Sequence, residues 1–176
     1  MEKIEVSNSV KIEVFDSQDY LQNHSTISKY INAICANEID SQAREFLDNL
    51  NGDIFLQDKK VYIYVLFEGK EPASFAIFSK KSNISVTLDL IWTAKDYSKL
   101  GLATILLRVG ATDLRAKDVH SIYVKEDEEN ERLTHLLDSF AKVKNIICDK
   151  TEMQYKFVIK DIDDKQILSD INQYLI

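Results

Sequence analysis

The stretch from Ile84 to Lys117 constrains the fold more than any other part of this sequence. Residues 84–93 alternate in hydropathy, which predicts a long central strand. The two faces of that strand would carry Val86, Leu88, Leu90 and Trp92 on one side and Thr87, Asp89 and Ile91 on the other. From Leu102 to Lys117, apolar and small residues recur at helical spacing. That helix face would consist of Ala103, Leu106, Leu107, Gly110 and Leu114. A long strand followed by an amphipathic helix predicts an α/β protein.

The remaining segments alternate between strand and helix patterns and extend the α/β prediction over the whole chain. Before the central strand, they are a strand at 11–15, a helix capped by Asp16 or Ser17 and running through Ile34, a helix starting at Asp40-Ser41 and stopping at Asn51-Gly52, and a hairpin of strands 60–67 and 73–78. After Lys117, they are a strand at 120–125, a helix preceded by Asp127–Glu129, strands at 146–148 and 154–160, and a final helix at 162–175.

Length and composition fit one folded domain. The chain has 176 residues, of which 45% are hydrophobic and 29% charged, and its one proline and four glycines mark no linker. We therefore expect a single domain over residues 1–176, with 161–176 as a C-terminal helical extension. No apolar run approaches the roughly 20 residues of a membrane-crossing helix, and we see no secretory signal, so we expect a cytoplasmic protein without a membrane partner.

The net charge of the chain restricts the classes of partner that it is expected to bind. A formal net charge of −7 opposes nucleic-acid binding, which relies on clustered Lys and Arg. A cationic substrate suits this field better, although acidic proteins are often acidic for solubility alone. We therefore expect no nucleic-acid partner.

Cysteines and histidines give no sign of a metal or redox centre. Cys35 and Cys148 lie far apart and outside CxxC or Cys/His ligand spacing, so we expect both to be reduced core residues. His24, His120 and His135 are isolated in the sequence and are expected at the surface or in hydrogen bonds. The sequence therefore predicts no metal site.

The turn between the predicted central strand and the helix that follows it carries the most specific motif. It reads Asp96-Tyr97-Ser98-Lys99-Leu100-Gly101-Leu102-Ala103-Thr104. Ser98–Ala103 resembles the pyrophosphate loop of the GNAT N-acetyltransferases, whose pattern is Gln/Arg-x-x-Gly-x-Gly/Ala. It matches at Gly101 and Ala103 and departs at Ser98. The order of strands and helices from Lys11 to Ile159 also resembles this family, which implies a mixed, mostly antiparallel sheet flanked by helices.

The resemblance further implies acetyl-CoA as cosubstrate, bound without a metal. The first N–H groups of a helix have no helical partners, and together with the helix dipole they bind phosphates that small residues allow to approach. A glycine before a helix is also common in α/β sheets without that role. The backbone at Ile91–Thr93 would bind the pantetheine arm. The expected cofactor-binding residues are Ile91, Trp92, Thr93, Ser98, Lys99, Leu100, Gly101, Leu102, Ala103, Thr104 and Asn130.

A second, weaker resemblance covers Val124–Ala141. Asn130 and Leu136 match residues common in the family, and Asn130 is either a cofactor contact or a solvent-facing residue. Leu137 stands where the family often has a tyrosine general acid, and Ala141-Lys142 replaces a common Gly-Phe. The usual proton donor of the family is therefore missing from the sequence.

Acetyl transfer to an amine needs a neutral nucleophile and a proton source for the departing thiolate. Asp89 lies on the strand face where this family sometimes has a general base, and a solvated or ion-paired strand residue is the alternative. Tyr123, Tyr97 and Ser139 are candidate proton donors. We select Asp89 and Tyr123 as the catalytic candidates.

The sequence leaves three functions open. The first is an acetyl-CoA-dependent N-acetyltransferase acting on a small amine, an aminoacyl group or a protein amine. The second is a GNAT-like binding or regulatory protein with weak or no turnover, suggested by the departures at Ser98, Leu137 and Ala141. The third is an unrelated α/β protein whose C-terminal helix serves oligomerisation, and a homodimer is one expectation for that helix.

Overall fold

The computed structural model describes residues 1–36, 38–98 and 100–175, and their eight strands form one sheet. The strands are β1 (Glu2–Glu5), β2 (Val10–Asp16), β3 (Val61–Glu68), β4 (Glu71–Ser82), β5 (Ser85–Thr93), β6 (Ser121–Lys125), β7 (Ile147–Lys150) and β8 (Gln154–Val158). The α-helices are α1 (Ser17–Gln22), α2 (His24–Cys35), α3 (Ser41–Gln57), α4 (Leu102–Ala116), α5 (Glu131–Ala141) and α6 (Asp164–Ile171). Short 3-10 helices occur at Lys95–Tyr97 and Asn172–Tyr174. The predicted α/β class is confirmed.

The sheet is mixed and mostly antiparallel, as the resemblance implied. Its strand order is β1-β2-β3-β4-β5-β6-β8-β7, and only β5 and β6 are parallel neighbours among the described strands. Two parallel neighbours need a crossover connection, which α4 provides here. Strand β1 was not predicted, because its sequence, Glu-Lys-Ile-Glu, contains a single apolar residue.

Each face of the sheet is covered by its own set of helices. Helices α1, α2 and α3 pack on one face around Ile27, Ile31 and Leu50. Helices α4, α5 and α6 pack on the other face, where Leu106 and Ile167 are fully buried. The predicted C-terminal helix therefore lies against the same face as α4 and contacts it.

Two predicted helix starts are confirmed in atomic detail, and one predicted helix is divided. The Asp16 carboxylate accepts a hydrogen bond from the backbone N–H of Asp19 at 2.8 Å, and Asp40 caps α3 in the same way through Ala43 at 2.7 Å. The single helix expected from Asp16 to Ile34 is instead α1 and α2. Asn23 separates them because its side chain donates to the Asp19 carbonyl, which competes with continuation of the helix.

The predicted helix stop at Asn51-Gly52 is wrong, because α3 continues through it to Gln57. Leu50 and Ile54 lie one turn apart and are both buried, so packing on the sheet holds the helix across the glycine. The helix ends instead at Asp58, which adopts the left-handed conformation with φ 53°. Tertiary burial has overridden the local turn preference of Asn-Gly.

We expect Gly52→Ala to stabilise the protein by about 0.5–1 kcal/mol, because alanine loses less backbone entropy in a helix. A Cβ at Gly52 would meet no atom within 4 Å. Gly69→Ala is the matched control, since Gly69 has a φ of 62° and equally open surroundings, so it should be destabilising. Urea unfolding would measure both changes. A loss of stability in Gly52→Ala would contradict this account of α3.

The predicted alternation of β5 holds only for its first half. Leu88 pairs with Phe78 while Leu90 pairs with Ile77, so Asp89 is an extra residue, a β-bulge. The bulge reverses the faces: Val86, Leu88 and Ile91 pack on the side of α4, whereas Leu90 and Trp92 pack on the side of α1–α3. The assignment of Leu90 and Trp92 to the face of Val86 was therefore wrong.

Candidate active site

Strands β5 and β6 separate towards the end of β5. They pair at only three positions, Ser85–Ser121, Val86–Ile122 and Thr87–Tyr123. Beyond these, β5 continues to Thr93 with β4 as its partner, and residues 89–93 are all partly exposed. Among the described strands, none pairs with the other edge of β5 over residues 88–93, so that edge has backbone groups available to a ligand. Three residues predicted to bind the cofactor, Ile91, Trp92 and Thr93, line this opening.

The turn after β5 leads directly into an uncapped helix. Gly101 is the N-cap of α4 and has φ 71° and ψ 14°, a left-handed conformation that favours glycine. Its carbonyl accepts the first helical hydrogen bond, from Ile105 N–H at 3.1 Å. Among the described residues no side chain caps α4, so the N–H groups of Leu102, Ala103 and Thr104 are left for another acceptor. This donor set fits phosphate groups.

The other predicted loop residues differ in what the structure says of them. Ser98 is half-buried and continues the 3-10 turn through its N–H, which donates to Lys95, and Leu100 is 52% exposed. Lys99 lies outside the described residues. Binding of a cofactor by these residues stays a prediction.

A residue that sequence reasoning missed lies against this turn. A Cβ placed on Gly101 would be 2.7 Å from Cδ1 of Tyr174, so the tyrosine ring lies directly over the glycine. Tyr174 belongs to the 3-10 helix that follows α6. The sequence predicted a C-terminal helix, but no local signal indicates that its end returns to Gly101.

Asp89 has an unusual environment because of the bulge. Its Oδ2 atom is buried and has no hydrogen-bond partner. Burial is the largest influence and raises the pKa of Asp89 above its ordinary value, while nearby Ser79 and Lys59 act in the opposite direction. A carboxylate with a raised pKa and a free oxygen is suited to accept a proton.

Tyr123, the second catalytic candidate, lies on the neighbouring strand. It is opposite Thr87, two positions before Asp89, at the last pair before the strands separate. Its ring is contacted by Lys81, with Nζ 3.9 Å from the centroid, and more distantly by Lys156 at 5.7 Å. The register thus brings both catalytic candidates to the start of the opening.

The alternative donors have less suitable positions. Tyr97 packs against the core beneath α4, α5 and α6. The Ser139 hydroxyl lies on α5 and accepts from Arg108 Nη2 at 3.4 Å.

A family model matches the part of the chain that contains this opening. The model of the acetyltransferase (GNAT) family matches residues 27–141, which is more than half of the chain. The chain belongs to this family. It is therefore an acetyltransferase, as the loop at Ser98–Ala103 implied. No curated protein sequence matches it significantly.

Solved structures share the fold of this acetyltransferase at low sequence identity. RimL, a ribosomal L7/L12 alpha-N-protein acetyltransferase in complex with coenzyme A, is 14% identical with a TM-score of 0.58, covering 90% of this chain and 99% of that one. The ribosomal-protein-S18-alanine N-acetyltransferase from Escherichia coli is 17% identical with a TM-score of 0.56, covering 88% and 97%. The PaiA N-acetyltransferase from Thermoplasma acidophilum, in complex with coenzyme A, is 10% identical with a TM-score of 0.55, covering 85% and 99%.

The remaining predicted cofactor residue, Asn130, has a structural role in this acetyltransferase. It caps α5, and its side-chain oxygen accepts from the Leu133 N–H at 3.0 Å. A cofactor contact would have to use its amide nitrogen. Leu137, at the position where the family often has tyrosine, is 1% exposed and packs in the core, so no proton donor occupies that site.

The two free thiols of the acetyltransferase differ in burial. Cys35 is buried and burial raises its pKa to about 11, whereas Cys148 is half-buried on β7. Over residues 1–36, 38–98 and 100–175, no group of three His, Cys, Asp or Glu side chains is arranged to hold a metal ion. Within the same ranges, no helix is long and apolar enough to cross a membrane.

Proposed function

We propose that this enzyme transfers an acetyl group from acetyl-CoA to an amine of a small molecule, an aminoacyl group or a protein. The observation that carries this proposal is the separation of β5 from β6 next to the uncapped start of α4. A single strand–turn–helix unit therefore contains N–H donors for phosphate, a free strand edge and the partly buried carboxylate of Asp89.

The cofactor would bind along this unit. Its pyrophosphate would accept hydrogen bonds from the N–H groups at Leu102–Thr104, next to Gly101, which has no side chain to block the phosphates. Its pantetheine arm would pair with the unpartnered edge of β5 at Ile91–Thr93. When bound, acetyl-CoA supplies the acetyl group as a thioester.

The two catalytic candidates divide the proton transfers between them. Asp89 removes a proton from the acceptor ammonium, so that the amine can attack the thioester carbon. Backbone N–H groups on the free edge of β5 stabilise the charge that develops on the carbonyl oxygen. Tyr123 donates a proton to the leaving thiolate, since Leu137 cannot, and its phenolate then takes up the second proton that the attacking nitrogen loses.

The acceptor would enter from the face covered by α1–α3. The carboxylate of Asp89 is close to Ser79 and Lys59. Helices α1, α2 and α3, which cover this face, precede β3 in the chain. A formal net charge of −7 favours a cationic acceptor, which an ammonium group is. A protein amine is one of the three acceptor classes, and two of the enzymes of similar fold are named for ribosomal proteins.

We expect acetyl-CoA to bind with a dissociation constant in the micromolar range, as cosubstrates of enzymes commonly do. Calorimetry measures the affinity directly. Trp92 is the only tryptophan in the sequence and lies at the opening, so its fluorescence should change in parallel. Adding a panel of small amines and peptides, with thiol release as readout, then tests transfer. A protein that binds no acetyl-CoA would contradict the proposal, and so would one that binds it but acetylates no amine.

A further inference from the structure

Arg108 is a buried cation without an anionic partner. Its side chain is on α4, two turns after Gly101, and the residue is only 8% exposed. Its Nε has no hydrogen-bond partner, and Nη2 makes one long contact, to Ser139 Oγ at 3.4 Å. No carboxylate forms an ion pair with it in the part of the chain that the structure describes. Because an unpaired buried charge costs free energy, this position requires an explanation.

A second arginine on the same helix shows the usual arrangement. Arg115 is one heptad further along α4 and also faces the C-terminal segment. Its Nη1 donates to the Ile162 carbonyl at 2.8 Å, and its Nη2 pairs with Asp164 at 3.1 Å. The contact between α4 and α6 therefore satisfies an arginine at one end and leaves Arg108 unsatisfied near the other.

The guanidinium of Arg108 lies near the ring of Tyr174, which covers the start of α4. Its Cζ is 5.9 Å from the centroid of the Tyr174 ring, and the same ring lies over Gly101. Residues seven apart share a helix face, and long side chains on a helix lean towards its N-terminus. The ring of Tyr174 is therefore near both the arginine and the start of α4.

We propose that Arg108 binds a phosphate group of acetyl-CoA, and that Tyr174 covers this site until the cofactor displaces its ring. This inference rests on the proposed function. The uncapped helix start and the unpaired guanidinium supply complementary halves of one phosphate site, because an arginine forks onto two phosphate oxygens while backbone N–H groups bind the others. Tyr174 follows α6 in a short 3-10 helix, so movement of that segment alone exposes the site.

Arg108→Met tests the arginine, because it removes the charge and preserves the volume. We expect coenzyme A to bind about 10- to 100-fold more weakly, the usual effect of losing a hydrogen bond to a charged group. The melting temperature should stay the same or rise, since an uncompensated buried charge is removed. Arg115→Met is the matched control and should lower the melting temperature without changing affinity more than about twofold, because its partners are within the protein.

Two further measurements separate the parts of the inference. Dephospho-coenzyme A lacks the 3′-phosphate. If Arg108 binds the pyrophosphate, Arg108→Met should weaken the binding of dephospho-coenzyme A as much as it weakens the binding of coenzyme A. If wild type and Arg108→Met bind dephospho-coenzyme A equally well, the 3′-phosphate is the group that Arg108 binds. Tyr174→Ala should bind coenzyme A several-fold more tightly than wild type, since no ring has to be displaced.

Three results would overturn the inference. Arg108→Met could melt at a lower temperature while keeping wild-type affinity, which would make the arginine purely structural. Tyr174→Ala could bind more weakly, which would make the ring a cofactor contact and remove its covering role. Wild-type protein that fails to bind coenzyme A would overturn the proposed function itself, and the role of Arg108 with it.

Discussion

Asp89→Asn is expected to lower kcat about 10²- to 10⁴-fold, the usual contribution of a general base. Asparagine is nearly the same size and can occupy the bulge, but it cannot accept the ammonium proton. The affinity for acetyl-CoA should change little, because the proposed phosphate and pantetheine contacts lie further along the strand–turn–helix unit. Steady-state kinetics with a saturating amine, combined with calorimetry, measures the two effects separately.

The pH dependence provides an independent sign. A general base must be deprotonated to act, so wild-type kcat/KM should fall as the pH drops through the pKa of Asp89. Because this pKa is raised, the fall should occur at a higher pH than the pKa of an ordinary aspartate. The acid limb should be absent in Asp89→Asn.

Stability should respond to the same substitution in a predictable direction. The folded state binds the Asp89 proton more tightly than the unfolded state, so the charged carboxylate destabilises the fold above its folded-state pKa. This penalty disappears as the pH falls through that raised pKa. Asp89→Asn should therefore melt at or above the wild-type temperature at neutral pH, and the difference should shrink in acid.

Asp149→Asn on β7 is a matched control, since Asp149 is exposed and distant in the sheet from β5. It should leave turnover and the acid limb unchanged. Tyr123→Phe should lower kcat while keeping the acid limb, because the proposed role of the tyrosine is that of the general acid. Turnover in Asp89→Asn within about threefold of wild type would remove Asp89 as the base.

Gly101→Glu is expected to weaken acetyl-CoA binding about 100-fold or more, which corresponds to losing two hydrogen bonds to a charged group. A carboxylate at this position would compete for the N–H groups at the start of α4 and would repel the phosphates. Circular dichroism would check the fold and calorimetry the affinity.

Gly101→Ala is needed to interpret that result. The residue has φ 71°, and its Cβ would lie 2.7 Å from Tyr174, so any side chain strains the turn. We expect the alanine variant to lose about 1–2 kcal/mol of stability from the left-handed backbone and to bind acetyl-CoA better than the glutamate variant. A folded Gly101→Glu protein with wild-type affinity would show that the phosphate loop lies elsewhere.

Short sequence patterns correctly predicted the helix caps and the Gly101 turn, because residues close together in the chain form these features. Asp16 and Asp40 were found as helix caps because a cap needs only a side chain three residues before its donor. The Gly101 turn was found through the resemblance of Ser98–Ala103 to a family motif, and its φ of 71° is a conformation that glycine adopts without strain. These features depend on residues close together in the chain.

The features that sequence reasoning missed depend on contacts between distant segments. Helix α3 passes through Gly52 because Ile54 finds a buried place on the sheet. The bulge at Asp89 depends on the register with β4, which alternation within one strand does not reveal. Arg108 reads as one charged residue on an amphipathic helix, and only the return of Tyr174 to the start of that helix shows that it is buried.

The short pairing of β5 with β6 also connects two parts of the sheet. Strands β3, β4 and β5 form a meander, and β7 and β8 form a hairpin, so these pairings close over short loops. Among the described strands, three residue pairs join the first five strands to the last three. Helix α4 lies in the chain between the paired residues, so these contacts are more distant in sequence than those of the hairpins. Cooperative unfolding of the two groups of strands therefore depends on these three β5–β6 pairs and on the burial of α4 against the sheet.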